Sequence, residues 1–344
     1  MAGMTDSAFR RLVKRHGGCG LVVTEMVSAE GLVRGIDRTL EYAEYTEEER
    51  PVAIQIFGGN PQTMAHAARI VEDLGADLVD VNMGCPVPKI AKHAAGCSLM
   101  REPARAASIV EAMTKAVTIP VTVKMRAGWT DAERNAPLVA RMVEDAGASA
   151  IAVHGRTAAQ SYSGSPDWEL VARIAAQLEI PVFGSGDCAE PEQVVARWRT
   201  GVEGVLVGRG ILRNPWLLAQ AAELAAGRVP RPVTLADRGR FLLDYIELLR
   251  GERLHEPEGF RHTARERSIS GEHSAVGHDR WVINKIRALG SWYTKGLEHG
   301  SGLRAAINSA ETLDVLCGLV EAFFLTSVDS CLESYQVSGI SQKH

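Results

Sequence analysis

The sequence has no Cys-x-x-Cys pair, and its six cysteines, at positions 19, 85, 97, 188, 317 and 331, follow no regular spacing. That argues against a zinc ribbon or a disulfide framework, and it predicts a reducing, cytoplasmic setting with no metal site. No run approaches the ~18 uninterrupted apolar residues of a membrane span, so no membrane association is expected. The opening Met1-Ala2-Gly3-Met4-Thr5-Asp6 has neither a basic n-region nor an apolar h-region, so no signal peptide is expected either. An excess of basic residues is also missing. With a net charge of −4, bulk electrostatics cannot hold this chain to a polyanion, and any nucleic-acid contact must come from a local patch.

What is present is an alternation of short β-rich runs with helical stretches over the first two-thirds, the pattern of βα units and a parallel sheet. The strands are expected at Leu21–Glu25, Val52–Ile56, Leu78–Asn82, Val121–Lys124, Ala150–His154, Pro181–Gly184 and Gly204–Val207. Helices are expected at Ser7–His16, Gln62–Leu74, Ala104–Ala116, Ala136–Ala146 and Trp168–Gln177, with apolar residues at helical spacing. Gly75, Gly147 and Gly201 stand where a helix should end, as C-cap glycines do. Seven strands are one short of a (β/α)8 barrel. The missing strand belongs ahead of Ser7–His16, and an open parallel edge is a liability; the expectation is a misassigned start with upstream residues completing the barrel.

From Pro230-Arg231-Pro232 the composition changes, and only helix-compatible runs follow: Asp237–Leu249, Trp281–Lys295, Leu303–Ser309 and Leu313–Phe324. The expected organisation is a barrel over 1–230 and a helical domain over 231–325. Residues 255–279 are expected as a polar loop insertion, and 326–344 as a mobile tail.

In a βα-barrel the reactive groups gather at the carboxyl ends of the strands. Here those ends carry Gln55, then Asp80 and Asn82 followed by Met83-Gly84-Cys85-Pro86, then Lys124 with Arg126, then His154-Gly155-Arg156. The last two strands run into Gly184-Ser185-Gly186-Asp187 and Gly208-Arg209-Gly210. Glycine turns at these places let backbone N–H groups hold a phosphate. Beside an amide, an ammonium and an imidazole, a phosphate suits a phosphorylated heterocycle such as a flavin, whose negative N1 a lysine stabilises. Cys85 lies between Gly84 and Pro86 in a non-helical segment at the rim, and a thiol, mostly protonated at neutral pH, can serve as a proton donor. Cys97, in a glycine turn, is expected to be structural, as are Cys19, Cys188, Cys317 and Cys331.

Together these segments resemble the tRNA-dihydrouridine synthase family, most closely its bacterial B-type branch. The matching stretches are MAGMTDSAFR (1–10), TEMVSA (24–29), VDVNMGCPVPK (79–89), PVTVKMRAGW (120–129), VHGRTAAQSYSG (153–164), GSGD (184–187), VGRGILRNPW (207–216) and SWYTKGL (291–297). The resemblance implies an FMN-binding TIM barrel followed by a helical domain that grips tRNA. It implies reduction of a D-loop uridine to 5,6-dihydrouridine, with NADPH or NADH as reductant and Cys85 as the general acid at C5. The family's flavin contacts fall on Met1, Ala2, Gln55, Lys124, His154, Ser185, Gly186, Asp187, Gly208 and Arg209. Its substrate contacts fall on Asn82, Arg126 and Arg156, and Lys285 and Arg287 are expected to meet phosphates, with Lys295, Arg304, Trp292 and Tyr293 nearby. No stable protein partner is implied. The chain departs from the family in lacking the apolar strand and proline ahead of Met1, in Ser185 where Asn is usual, and in the 255–279 insertion. Two other readings stay open: an FMN barrel acting on a small molecule of the dihydroorotate type, and a tRNA-binding protein without catalysis.

Overall fold

Parallel strands can be joined only by crossovers, which cover the sheet faces with helices. The computed structural model describes residues 3–91, 94–251, 261–262 and 275–326. Its strands are β1 (Val22–Val23), β2 (Val27–Ser28), β3 (Tyr45–Thr46), β4 (Val52–Phe57), β5 (Leu78–Met83), β6 (Val121–Arg126), β7 (Ala150–His154), β8 (Val182–Ser185), β9 (Gly204–Leu206) and β10 (Arg261–His262). β1 and β2 both pair with β4, and β4 to β9 then lie side by side in sequence order, every ladder parallel. Helices Pro61–Asp73, Pro103–Thr114, Ala136–Asp145, Trp168–Gln177 and Pro191–Trp198 carry the chain between consecutive strands. This is the α/β architecture expected.

Successive side chains of a strand point to opposite faces. One set (Val52, Ile54, Val79, Val81, Val121, Val123, Ile151 and Val153) is apolar and fully buried. The alternate set is polar toward the carboxyl ends. Parallel register sets Gln55 beside Asp80, Asn82 beside Lys124, Arg126 beside His154, and His154 beside Ser185. One face of the sheet is therefore core, and the other a polar interior. Among the described residues no ladder joins β9 to β1, so the barrel has a seam. It falls where the strand count came up one short, and all three residues of β9 at this edge are half-exposed.

The strand expected over Leu21–Glu25 is shorter than that, β1 covering only Val22–Val23, and β2 (Val27–Ser28) is a separate pairing beyond its end. The cause is local: the Thr24 hydroxyl, rather than a backbone carbonyl, accepts the N–H of Gln55 at 3.1 Å. Thr24 still donates its own N–H to Ala53 at 2.9 Å, so the segment stays in place without continuing the ladder.

Beyond residue 231 the helices Leu235–Gly251, Ala275–Tyr293, Gly300–Ser309 and Leu313–Phe324 pack on one another. Two expectations about the 255–279 segment need correction. Arg261–His262 is a strand, paired antiparallel with β3, because a ladder is made by main-chain groups and needs no apolar pattern. The helix expected from Trp281 starts at Ala275, inside the supposed loop. The rest of that segment, and the tail from 327, lie outside the described residues.

Helix Ser7–His16 joins the two parts. Phe9 meets Phe241 and Tyr245 edge-on at 5.8 and 5.9 Å, and His16 stacks on Trp216 at 4.7 Å. Asp6 caps this helix through the Phe9 N–H at 3.0 Å, while its other oxygen accepts from the Tyr245 hydroxyl and pairs with the Lys285 ammonium, both at 2.9 Å. At the same helix Glu49, fully buried, pairs with Arg10 at 2.5 Å and accepts from the Ser7 hydroxyl.

Candidate active site

The polar interior is organised by one row of hydrogen bonds. The N–H groups of Gly84 and Cys85 donate to Asn82 Oδ1 at 3.2 and 2.9 Å. Asn82 Nδ2 donates to Gln55 Oε1, and Gln55 Nε2 to Asp80 Oδ2, each at 2.7 Å. The Thr122 hydroxyl closes the row on Asp80 Oδ1 at 2.6 Å. Burial pushes the Asp80 carboxyl above the usual carboxylate range, opposed by Thr122, Gln55 and the Lys124 charge. Burial likewise lowers Lys124, with Asp80 opposing.

His154 has no such partner. Its Nε2 is buried and makes no hydrogen bond among the described residues. Desolvation, followed by the charges of Lys124, Arg126 and Arg156, pushes its pKa down to about 3. The imidazole is neutral at physiological pH, with one ring nitrogen left for a ligand.

Arg126 and Arg156, expected as substrate contacts, are 3% and 1% exposed, and their guanidinium groups are engaged within the protein. Arg126 donates to the carbonyls of Gly84, Thr157 and Ser161 at 2.8 to 2.9 Å. Arg156 donates to Ser163 and Gly164 at 3.1 and 2.6 Å and forms a two-pronged pair with Asp187. Together they fix the loop after β7, whose Tyr162 is 52% exposed with the Arg209 guanidinium 4.2 Å above its ring. Asp187 also takes Arg209 at 3.1 Å, and the Arg156 bond holds its carboxyl below the usual range. The Asp187 side chain is thereby committed to two arginines, so that only the backbone of the turn could meet a ligand. There Gly186 has φ +139°, and a Cβ on it would lie 2.6 Å from Pro166.

Cys85 is half-buried on the loop that Asn82 holds, within electrostatic reach of Lys124, Arg126 and Cys97. Its carbonyl accepts the Cys97 N–H at 2.9 Å. Gly96, at φ +62°, packs so closely under it that a Cβ would stand 2.7 Å from that carbonyl oxygen. Cys97 itself is fully buried, and burial raises its thiol to about 12.

The structure therefore gathers Gln55, Asn82, Lys124, His154, Ser185 and Cys85 along one end of the sheet, with Asp187 and Arg209 at its rim. Gly208 caps the short helix Arg209–Arg213 that follows β9. Met1 and Ala2 lie outside the described residues. Lys285 and Arg287 are not in this group. Lys285 is paired with Asp6, and Arg287 donates to the carbonyls of Ile307 and Ala310 at 3.4 and 2.8 Å, closing the end of helix Gly300–Ser309. Of their neighbours, Tyr293 is fully buried and donates to the Arg238 carbonyl, Arg304 donates to the Thr294 hydroxyl, and Lys295 is exposed. Thr24, Thr122 and Tyr162 were not singled out from the sequence. The first two share a strand face with Gln55 or Lys124 or bond to them, and period-two spacing could have found Thr122.

The family described as dihydrouridine synthase (Dus) matches residues 1–326. A protein of Xanthomonas axonopodis pv. citri named tRNA-dihydrouridine synthase B is 38% identical over 326 residues, 94% of this chain and 91% of its own length. One of the same name from Pseudomonas aeruginosa is 34% identical over the same shares. A probable tRNA-dihydrouridine synthase of Rickettsia bellii is 42% identical over 222 residues, 64% of this chain and 68% of its own. Among solved structures, the histamine dehydrogenase of Rhizobium sp. 4-9 gives a TM-score of 0.48 at 16% identity, over 70% of this chain and 46% of that one. No helix among the described residues is long and apolar enough to cross a membrane. With a polar, cation-rich site at the carboxyl ends of parallel strands and a family match along almost its whole length, the chain belongs to the dihydrouridine synthase family.

Proposed function

We propose that this protein reduces the 5,6 double bond of uridine in the D-loop of tRNA to 5,6-dihydrouridine, in the cytoplasm, with FMN as cofactor and NADPH or NADH as reductant. The observation that carries the reading, beside the relatives' names, is a half-buried cysteine whose backbone N–H is held by Asn82 at the mouth of an interior with a buried imidazole nitrogen that has no partner among the described residues. The residues fit a flavin phosphate. Asp187 spends its side chain on two arginines, so the Gly186 turn can offer only its backbone, and the neutral His154 Nε2 beside it offers a free hydrogen-bonding position. In this reading Ser185, Gly186, Asp187, Gly208 and Arg209 hold the phosphate by their backbone, with Met1 and Ala2 completing the site. Gln55 keeps one N–H for a ring edge, since only one is used within the protein. Lys124 sets a positive charge beside the ring.

When bound, the flavin would supply the hydride for C6 of the base. Charge then builds on the conjugated carbonyl, and Cys85 gives its proton to C5. General acid help of this kind is worth ~10²–10⁴-fold. A uridine in a folded loop must be turned out to reach the site, at a cost of roughly a few kcal/mol. Asn82 serves by holding the Cys85 loop, since its oxygen already accepts two N–H groups. Arg126 and Arg156 hold the loop that presents Tyr162. The helices of residues 235–324 are assigned to gripping tRNA.

Cys85→Ala tests this directly. Flavin content and NADPH oxidation should stay near wild type while dihydrouridine, measured by nucleoside mass spectrometry on unmodified tRNA, is lost. Unchanged dihydrouridine formation would remove Cys85 from the reaction.

A further inference from the structure

A primary amide has two chemically opposite ends, and only its neighbours decide which way it points. Asn82 and Gln55 form a row of two such amides, and the row could run in either sense if its ends were indifferent. They are not. At one end stand the N–H groups of Gly84 and Cys85, which only donate; at the other stands Asp80, fully inside the barrel, offering Oδ2 as an acceptor while Thr122 occupies Oδ1. With donors fixed at one end and an acceptor at the other, a single sense satisfies every group. In the reversed sense Asn82 would turn its NH2 toward the Cys85 N–H, donor against donor, and the loop would lose its anchor.

We infer that Asp80 is a positioning residue for the proposed reaction: through Gln55 and Asn82 it fixes the loop that carries Cys85 and, at the same time, the direction in which the Gln55 amide faces the interior. Asp80 touches neither the thiol nor the base. Its influence passes along three hydrogen bonds of 2.7, 2.7 and 2.9 Å. The inference depends on the reading of Cys85 as the proton donor. It predicts that the acceptor at position 80 matters and that the negative charge there does not.

Two substitutions separate these. Asp80→Asn keeps an oxygen for Gln55 and turns its NH2 to the Thr122 hydroxyl, so the row keeps its sense. Asp80→Leu removes the acceptor. With turnover expressed per bound flavin, Asp80→Leu should lower kcat for dihydrouridine formation about 10–100-fold, a part of what a positioned acid supplies, with little change in KM for tRNA. Asp80→Asn should stay within about threefold of wild type. Alkylation of Cys85 by iodoacetamide, resolved from the other cysteines by peptide mass spectrometry, should change rate in Asp80→Leu and not in Asp80→Asn.

Should Asp80→Leu fail to fold, a carboxylate pair gives the same test. Gln55→Glu sets two carboxylates against each other and should alter the Cys85 alkylation rate. Adding Asp80→Asn supplies a donor and should bring the rate back to within about twofold of wild type, a coupling that independent sites do not show. Equal losses in Asp80→Asn and Asp80→Leu, or wild-type alkylation and turnover in Asp80→Leu, would overturn the inference. Wild-type protein that forms no dihydrouridine would instead overturn the proposed function, and the alkylation rates would still decide the role of Asp80.

Discussion

His154 should make the protein lose stability on mild acidification. The imidazole is buried, and Lys124, Arg126 and Arg156 all oppose its protonation, against a weaker contrary pull from Asp187; its pKa falls from 6.5 to about 3. An unfolded chain binds a proton at this position below pH 6.5, and the folded chain refuses it until about pH 3. Stability is therefore complete above 6.5 and declines as pH falls, by about 1.4 kcal/mol per unit, which reaches roughly 2 kcal/mol at pH 5. Asp80 works the other way, because a raised carboxyl pKa favours the folded state as pH falls, so the raw pH profile mixes the two. The difference between wild type and His154→Gln isolates the histidine. Urea unfolding of both proteins between pH 7.5 and 4.5 should give a gap that is flat above about pH 7 and shifts in favour of the variant below it, by ~2 kcal/mol at pH 5. Parallel stability curves would refute the reasoning and mean that the imidazole takes up its proton in the folded state.

Three further outcomes follow from the geometry. Lys285→Met should leave the salt dependence of tRNA binding unchanged, because its ammonium is occupied by Asp6; loss of about one unit from the slope of log K against log salt would instead mark it as a phosphate contact. Glu49→Ala removes the partner of a buried arginine and should cost roughly 3–5 kcal/mol in urea unfolding, and a cost under 1 kcal/mol would show that Arg10 finds another acceptor. Gly96→Ala forces a side chain onto a left-handed backbone 2.7 Å from the Cys85 carbonyl oxygen, so it should depress dihydrouridine formation while sparing NADPH oxidation; equal loss of both would show a general collapse of the site.

The sequence made the scaffold legible because parallel strands buried on one face read as apolar runs, and because βα chemistry gathers at their carboxyl ends. Gln55, Asn82, Cys85, Lys124, His154 and Ser185 could be named on that rule, and they lie together. What the residues could not disclose was how each polar group is spent. The spacing of Lys124 and Arg126 shows that they share a face, but not that three carbonyls absorb the arginine. A lysine on a helix looks the same whether it faces a phosphate or, as Lys285 does, an aspartate from the start of the chain. The strand at Arg261–His262 was illegible for a related reason: its pairing with Tyr45–Thr46 is made by the main chain, which carries no side-chain signature.

Charge at the site explains how a chain of net charge −4 can serve a polyanionic substrate. Lys124, Arg126, Arg156 and Arg209 surround the mouth, and Asp80 and Asp187 are the carboxylates set among them. The surplus is positive and partly desolvated, so it acts at short range with little screening. Burial first, and this positive charge after it, keep His154 neutral, which preserves that nitrogen as a ligand rather than a further cation. In the proposed reading the surplus also favours a phosphate at the Gly186 turn and negative charge on a reduced ring. A uniformly basic surface would attract RNA to every face. In the proposed reading a local surplus beside Cys85 suffices instead, since Lys124 and Arg126 lie within electrostatic reach of that thiol and act where the base must sit.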